Sequence, residues 1–196
     1  AEKRAIAAAA VALIEPGQAV FFDDSTTVLQ MVPHLAARVP LTAITNSLTL
    51  MNALASQNQA NEALDIGRQR LRQFPSDVAV QLLVGDLHAR AGRFGDAAMA
   101  YQAALKAQPQ NAQALNNLAN AQLKLKDPAA LQTAQAAHKI APQNPLVIDT
   151  LGWVLFQQGQ TEQALPLLRD ARLRAPDNPE IRYHLAKVLF VTGRKA

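Results

Sequence analysis

The sequence predicts a mostly α-helical fold, a solenoid of helical hairpins, with a small α/β segment at its start. Two observations lead to this prediction. Four prolines, Pro75, Pro109, Pro142 and Pro176, follow one another at intervals of 34, 33 and 34 residues, and such a period indicates a repeat built from helix pairs. Short β-branched and aromatic runs of the kind that form strands occur before the period begins, within the first 55 residues.

Residues 1–55 show alternating helix and strand patterns. The stretch EKRAIAAAAVALIEPG has the basic start and apolar run of a signal peptide. No small-residue cleavage pattern follows, so we expect an Ala-rich helix that ends at Pro16-Gly17. The runs QAVFFDD and PLTAITNS predict two strands, with helical patterns before, between and after them. Apolar strands that alternate with helices are typical of a parallel sheet covered on both faces, so we expect a Rossmann-like α/β fragment.

Each predicted strand ends in a polar turn that begins a helix. Ligands bind at the carboxyl ends of the strands in open α/β sheets, and the free N–H groups of a helix N-terminus attract anions. Asp, Ser and Thr are also the ordinary N-caps of any helix, so a ligand site and plain capping both remain open. The candidate ligand-binding residues are Asp23, Asp24, Ser25, Thr26 and Thr27 in the first turn and Thr45, Asn46 and Ser47 in the second.

The stretch from EKRAIAAAAV to SLTLMNAL, residues 1–54, resembles the start of the sugar-sensing domain of DeoR-family repressors. In that family a D-S-G-T-T turn and a T-N-S turn help to hold a phosphorylated sugar. The resemblance therefore implies a sugar-phosphate site. It covers neither the DNA-binding helices of such a repressor nor the remaining strands of its sensing domain. Six of the candidate residues match the family's turns, whereas Asp24 and Ser25 stand where Ser and Gly are commoner.

Small residues recur at fixed distances from the four prolines. Such residues allow two helix backbones to approach closely. Two positions after each proline comes an Asp or Asn suited to cap the next helix, and twice a proline then takes the first helical position. The recurring residues are Ala63, Ala97, Ala130 and Ala164, twelve positions before the prolines, and the capping residues Asp77, Asn111, Asn144 and Asn178.

Residues 56–196 resemble tetratricopeptide (TPR) repeats. The family's pattern of a large residue, Leu-Gly, Ala, an aromatic residue and Pro is met by Val84-Gly85, Ala97, Tyr101 and Pro109, and again by Leu151-Gly152, Ala164, Leu168 and Pro176, with Leu168 in place of the aromatic residue. The C-terminal sequence is similar to those of TPR lipoproteins of bacterial exopolysaccharide and protein-sorting systems. The resemblance implies repeat units that end near residues 75, 109, 142 and 176, followed by a single helix.

TPR arrays bind a protein or peptide in a concave groove lined by the first helix of each unit, so the resemblance implies such a partner here. Asn120 lies where some TPR domains use Asn to grip a C-terminal carboxylate. For Trp153 and Tyr183, packing in the core or at the end of the array is the alternative. The candidate groove residues are Arg90, Asn116, Asn120, Lys124, Asp149, Trp153, Tyr183 and Lys187.

The two parts meet at the helical stretch SLTLMNALASQNQ, which falls where a first TPR helix should lie. Because no Gly-rich or Pro-rich linker separates the parts, we expect one helix to serve both, in a chimera of a sensor fragment and a repeat array. Two strands alone leave unpaired edges, so we also expect a homodimer, formed by strand pairing or by a domain swap.

The composition narrows the functional classes. A net charge of +4 with scattered basic residues does not favour nucleic-acid binding, and no apolar run is long enough to span a membrane. The chain has no cysteine and four widely spaced histidines, so neither a metal nor a cofactor is predicted. With no acid/base pair placed by the sequence, an enzyme is not expected and no catalytic residue is assigned. A protein-interaction scaffold is the first hypothesis, and a sugar-phosphate sensor is the alternative.

Overall fold

The computed structural model describes residues 2–22, 25–35, 38, 41–45, 47–56 and 60–193 of the 196-residue chain. Within these ranges the chain is mostly helical. Its elements are α1 (Glu2–Ala12), β1 (Ala19–Phe21), α2 (Thr26–Leu29), α3 (Val32–Leu35), β2 (Thr42–Ile44), α4 (Leu48–Ser56), α5 (Ala60–Gln73), α6 (Val78–Arg90), α7 (Phe94–Ala107), α8 (Ala112–Lys124), α9 (Ala130–Ile140), α10 (Pro145–Gln157), α11 (Thr161–Arg174) and α12 (Pro179–Thr192).

The contacts divide the chain into two compact units, an N-terminal unit (Ala1–Ala91) and a C-terminal unit (Gly92–Ala196). The N-terminal unit holds both strands and α1 to α6, and the C-terminal unit holds α7 to α12. Each unit has its own buried side chains.

The strands of the N-terminal unit pair in parallel. Ala19 lies opposite Thr42, and Phe21 lies opposite Ile44. The prediction of two parallel strands among helices is confirmed, but the predicted cover on both faces is absent at β1. Phe21 is 70% exposed whereas Phe22, the next residue, is 1% exposed. Successive side chains of a strand point to opposite faces, so the Phe21 side of this three-residue strand is left open.

Helices α1, α3, α4 and α5 supply most of the core of the N-terminal unit. The predicted Ala-rich helix is α1, and the chain turns after it at Gly17, which has a left-handed φ of 89°. A close approach occurs at Gly67 of α5, where a Cβ atom would lie 2.7 Å from Cγ2 of Val84 and 2.9 Å from Cε of Met51. The fully buried large side chains of this unit include Phe22, Val32, Leu35, Leu50, Met51, Ile66 and Val80.

In the C-terminal unit, α8 pairs with α9 and α10 pairs with α11, each as a hairpin, while α10 also packs on α8 and α12. The recurring alanines lie at these contacts: Ala130 is 1% exposed and Ala164 is fully buried. Gly152 of α10 lies against α11 so closely that a Cβ atom would be 2.9 Å from Cγ of Leu168. The small residues of the repeat therefore set how closely paired helices approach, as the period predicted.

The capping residues predicted from the repeat begin the helices. The side-chain oxygen of Asn111 accepts a hydrogen bond from the Ala114 N–H (2.9 Å), and that of Asn178 accepts from the Glu180 N–H (3.0 Å). Asp77 and Asn144 cap α6 and α10 in the same way. Pro145 and Pro179 occupy the first turn, where a missing N–H leaves no acceptor unsatisfied.

Candidate functional site

The first helices of the C-terminal repeats, α8, α10 and α12, lie side by side and carry seven of the eight candidate groove residues. Their exposure differs widely. Lys124, Tyr183 and Lys187 are exposed, Asn120 and Trp153 are half-buried, and Asn116 and Asp149 are buried. The eighth residue, Arg90, is exposed at the last position of α6 in the N-terminal unit.

Neighbouring first helices touch through the same pair of repeat positions. Nδ2 of Asn120 on α8 donates to Oγ1 of Thr150 on α10 over 3.2 Å. One repeat later, the Trp153 ring stacks on the His184 ring, with centroids 4.0 Å apart and an interplanar angle of 13°. Trp153 follows Asn120 by 33 residues and His184 follows Thr150 by 34, which is the spacing of the prolines. A hydrogen bond in one interface is thus replaced by a ring stack in the next.

His184 also holds Asp149. Its Nδ1 atom lies 2.7 Å from Oδ2 of Asp149, and both side chains are nearly buried. The carboxylate oxygen accepts this hydrogen bond, so the imidazole is fixed between Asp149 on one side and the ring of Trp153 on its face. Sequence reasoning missed this pair, because it judged each histidine by its spacing from other histidines. The sequence feature that could have revealed the pair is its separation of 35 residues, which is one repeat plus one residue. Residues at this separation lie next to each other on adjacent first helices.

Three buried acceptors on these helices, one of them on Gln122, lack donors among the described residues. Oδ1 of Asp149 and Oδ1 of Asn116 are inaccessible and have no hydrogen-bond partner. The two residues occupy equivalent positions of successive repeats, and buried acceptors without donors are uncommon in proteins. Asn116 and Asp149 therefore lie beneath the surface that the other candidates form.

Trp153 is the centre of an aromatic cluster. The ring centroids of Phe156 and Tyr183 lie 5.4 Å and 6.3 Å from that of Trp153, both tilted. Tyr183 is 60% exposed, so it borders the cluster on the solvent side. With His184 stacked on one face, the indole has a fixed orientation while part of it stays accessible.

A cleft of about 500 Å³ opens beside Trp153. It is formed by the end of α8, the turn that leads to α9, and the end of α10. Helical phase predicted only two of its residues, Lys124 and Trp153. The others were missed because they lie in turns or at a helix end, where phase gives no direction; the lining residues are Leu123, Lys124, Lys126, Asp127, Pro128, Trp153, Gln157 and Gln158.

The polar turns of the N-terminal unit act as local caps in the described residues. The hydroxyl oxygen of Ser25 accepts from the Val28 N–H (3.3 Å), and that of Ser47 accepts from the Leu50 N–H (3.2 Å). Oγ1 of Thr45, which is 3% exposed, accepts from the Ser47 N–H at 3.1 Å. Thr26 is exposed and accepts a hydrogen bond from Lys3 at its hydroxyl, and Thr27 is half-buried. Asp23, Asp24 and Asn46 lie outside the described residues.

The part of the chain that the structure describes contains no group of three or more acidic or histidine side chains placed to hold a metal ion. In the same residues, no helix is long and apolar enough to cross a membrane.

Comparison with known families agrees with the repeat geometry. A family model described as a tetratricopeptide repeat matches residues 48–110 and 82–145, and a second model with that description matches residues 155–196. These matches span most of the chain. The chain belongs to the tetratricopeptide repeat family. The predicted TPR fold is therefore confirmed.

The N-terminal part of this TPR protein matches a second family. A model described as the DeoR C terminal sensor domain covers residues 1–72, which confirms the resemblance seen in the sequence. The two kinds of match overlap over residues 48–72, the span of α4 and most of α5.

A curated relative and two solved structures resemble the TPR chain. The TPR repeat-containing protein PA4667 of Pseudomonas aeruginosa is 29% identical over 160 residues, which cover 81% of this chain and 27% of the relative. The chain thus spans about a quarter of that relative's length. TTC0263, a thermophilic TPR protein of Thermus thermophilus, superposes with a TM-score of 0.65 at 21% identity, covering 75% of this chain and 81% of its own. YrrB, described as a TPR protein with an unusual peptide-binding site, has a TM-score of 0.59 at 19% identity, covering 76% of this chain and 79% of its own.

Proposed function

We propose that this protein is a non-catalytic interaction module, a scaffold that binds an extended peptide segment of a partner protein across α8, α10 and α12. The observation that carries the proposal is the fixed and partly accessible Trp153 beside the cleft of about 500 Å³. The TPR family supports the same class of function, and the name of YrrB includes a peptide-binding site.

Trp153 has the properties of an anchor for a peptide. Aromatic side chains that keep one orientation lose little entropy on binding, and tryptophan is enriched among residues that dominate binding energy. The stack on His184 and the hydrogen bond from His184 to Asp149 give that orientation before any partner arrives. Exposed Lys124 lines the same cleft as the indole and adds a positive charge beside it.

The test is a selection of peptides from a random library against the full chain, followed by titration of the selected peptides. Replacing Trp153 by Ala is expected to weaken their binding at least tenfold, which is about 1.4 kcal/mol. The milder Trp153→Phe variant keeps an aromatic ring in the core contacts and is expected to lose less. Lys139→Ala, at an exposed position on the second helix α9, is the control. Selected peptides that bind Trp153→Ala and the wild type equally well would rule out this site.

A sugar-phosphate sensor is a second candidate, favoured by the match of residues 1–72 to the DeoR sensor domain. The hydroxyl oxygens of Thr45 and Ser47 accept hydrogen bonds from backbone N–H groups, and a hydroxyl that accepts can also donate its proton to a phosphate oxygen. A thermal-shift series with phosphorylated sugars tests this candidate. A rise in Tm that Thr26→Ala and Ser47→Ala both abolish would support it, and a flat series would remove it.

We also propose that the chain forms a homodimer or swapped assembly through its two-stranded sheet. Phe21 is 70% exposed on β1, next to strands that end after three residues. Exposed strand edges and aromatic side chains favour pairing with another chain. Light scattering at micromolar concentration should give twice the 21.1 kDa monomer mass, and Phe21→Lys should return the chain to a monomer. A wild-type mass of 21.1 kDa would contradict the proposal.

We infer that the chain is a chimera in which a sensor fragment and a repeat array share one helical hairpin. The support is the overlap of the two family matches over residues 48–72. Leu50 and Met51 of α4 are fully buried within the N-terminal unit, so this helix belongs to the core there. A full-length natural homologue that contains both parts and runs through residues 40–75 without a break would contradict this origin.

A further inference from the structure

The turn between α8 and α9 has an unusual residue at its left-handed position. Lys126 has a φ of 57°, and it is the one non-glycine residue with a positive φ among the described residues. The equivalent positions of the other repeats carry Gly92, Gly159 and Gly193, with φ values of 73°, 81° and 65°. A side chain in this conformation costs free energy that glycine avoids. Backbone strain of this kind is found preferentially at functional sites, which directs attention to what the Lys126 side chain does.

Lys126 lines the cleft beside Trp153, together with Lys124. In the described part of the chain, no carboxylate lies within salt-bridge distance of either ammonium group. Asp127 lines the same cleft, but its Oδ1 atom accepts a hydrogen bond from the Ala129 N–H at 2.9 Å and so caps the turn. The cleft therefore combines two unpaired positive charges with one accessible indole.

We propose that this cleft selects acidic peptides, in which a carboxylate side chain lies next to an aromatic or aliphatic one. The apolar side chain packs on Trp153, and the carboxylates lie near Lys124 and Lys126. This inference rests on the proposed peptide-binding function and names the chemistry of the partner. Charge complementarity favours this occupant, because the two ammonium groups of the lining outnumber its one carboxylate, Asp127, and leave the cleft with a net positive charge. A volume of about 500 Å³ suits one or two side chains of a bound segment.

The test uses three fluorescein-labelled peptides of equal length: Glu-Asp-Leu-Phe-Glu-Asp, its neutral Gln-Asn counterpart and its Lys-Lys counterpart. Binding to the full chain is followed by fluorescence anisotropy at low and high salt. We expect the acidic peptide to bind most tightly and to weaken as salt rises. Lys126→Gln should lower its affinity about two- to fivefold, as expected of one solvent-exposed charge pair, and the double change with Lys124→Gln about tenfold. Lys139→Gln, at an exposed position of α9, is the charge-matched control.

The Lys126→Gly variant distinguishes a lysine that contributes to binding from one that only happens to occupy a glycine position. It should raise Tm because it removes the strained side chain, and it should weaken the acidic peptide as much as Lys126→Gln does. A Lys126→Gly protein that is more stable but binds the acidic peptide unchanged would overturn the proposal. Equal affinities for the three peptides would also overturn the preference for acidic peptides. If those equal affinities still depend on Trp153, the peptide-binding function itself stands. Failure of every peptide, including those from the library selection, would overturn both.

Discussion

A close helix contact in the C-terminal unit gives a quantitative test of how the repeat is packed. At Gly152 of α10, an added Cβ atom would lie 2.9 Å and 3.0 Å from Cγ and Cδ2 of Leu168, and 3.3 Å from the backbone oxygen of Ala164. Leu168 is fully buried, and a helix backbone cannot shift alone. The Gly152→Ala variant must therefore move α11 away from α10 or force Leu168 out of its rotamer.

Two opposing effects set the size of the change. Replacing Gly by Ala inside a helix gains up to about 1 kcal/mol from propensity. Overpacking a buried contact costs about 1–3 kcal/mol. The net loss for Gly152→Ala is then about 0–3 kcal/mol. Gly95 of α7 is the matched control, because it lies in the same unit, near the start of its helix, with nothing within 4 Å of its added Cβ. Gly95→Ala should leave stability unchanged or raise it by up to about 1 kcal/mol.

Urea unfolding followed by tryptophan fluorescence measures the difference. Trp153 is the single tryptophan of the chain and directly follows Gly152, so the signal reports on this unit. We expect the two variants to differ by about 1–3 kcal/mol, which for an m value of about 2 kcal/mol/M separates their midpoints by about 1 M. If Gly152→Ala unfolds at the same urea concentration as Gly95→Ala, the argument that small residues set the helix spacing is wrong.

Three further substitutions test separate parts of the structure. His184→Ala should cost about 2–4 kcal/mol, because it removes a hydrogen bond to a buried carboxylate and a ring stack, whereas Tyr183→Ala should change stability by less than about 1 kcal/mol; urea unfolding compares them. Phe22→Ala should cost about 3–5 kcal/mol in circular dichroism melts, whereas Leu13→Ala, at a side chain that is 81% exposed, should cost less than about 0.5 kcal/mol; equal losses would contradict the burial of Phe22. Asn178→Ala should cost about 1 kcal/mol by loss of the N-cap of α12, and Asn178→Gly only a few tenths, with the same readout.

Sequence reasoning was most reliable where one local rule decides the structure. The helix starts at Asn111 and Asn178 follow from the chemistry of a side-chain oxygen near free N–H groups, and that chemistry is local. The period of the prolines gave the phase of every later helix, and with it the buried alanines. The parallel pairing of β1 and β2 followed in the same way from the alternation of strand and helix patterns.

What could not be predicted depends on contacts between repeats or on exposure. The pairing of Asp149 with His184 requires knowing that adjacent first helices are offset by one residue beyond the repeat, which the period alone does not state. The open side of Phe21 follows from the small extent of the sheet, which hydrophobicity cannot reveal. Lys126 was missed because a lysine in a turn is ordinary in sequence, and only its φ of 57° marks it.

The pairs Asn120–Thr150 and Trp153–His184 give each contact between neighbouring repeats a different interaction, a hydrogen bond in the first and a ring stack in the second. Removing one repeat would therefore place two side chains in contact that each fit a different neighbour. Exchanging whole repeats at the prolines would keep every hairpin intact and still leave, for example, an amide facing a position that a large ring had filled. The side chains at the contacts between neighbouring repeats therefore favour one order of the repeats, and exchanging two TPR units of this chain should destabilise it.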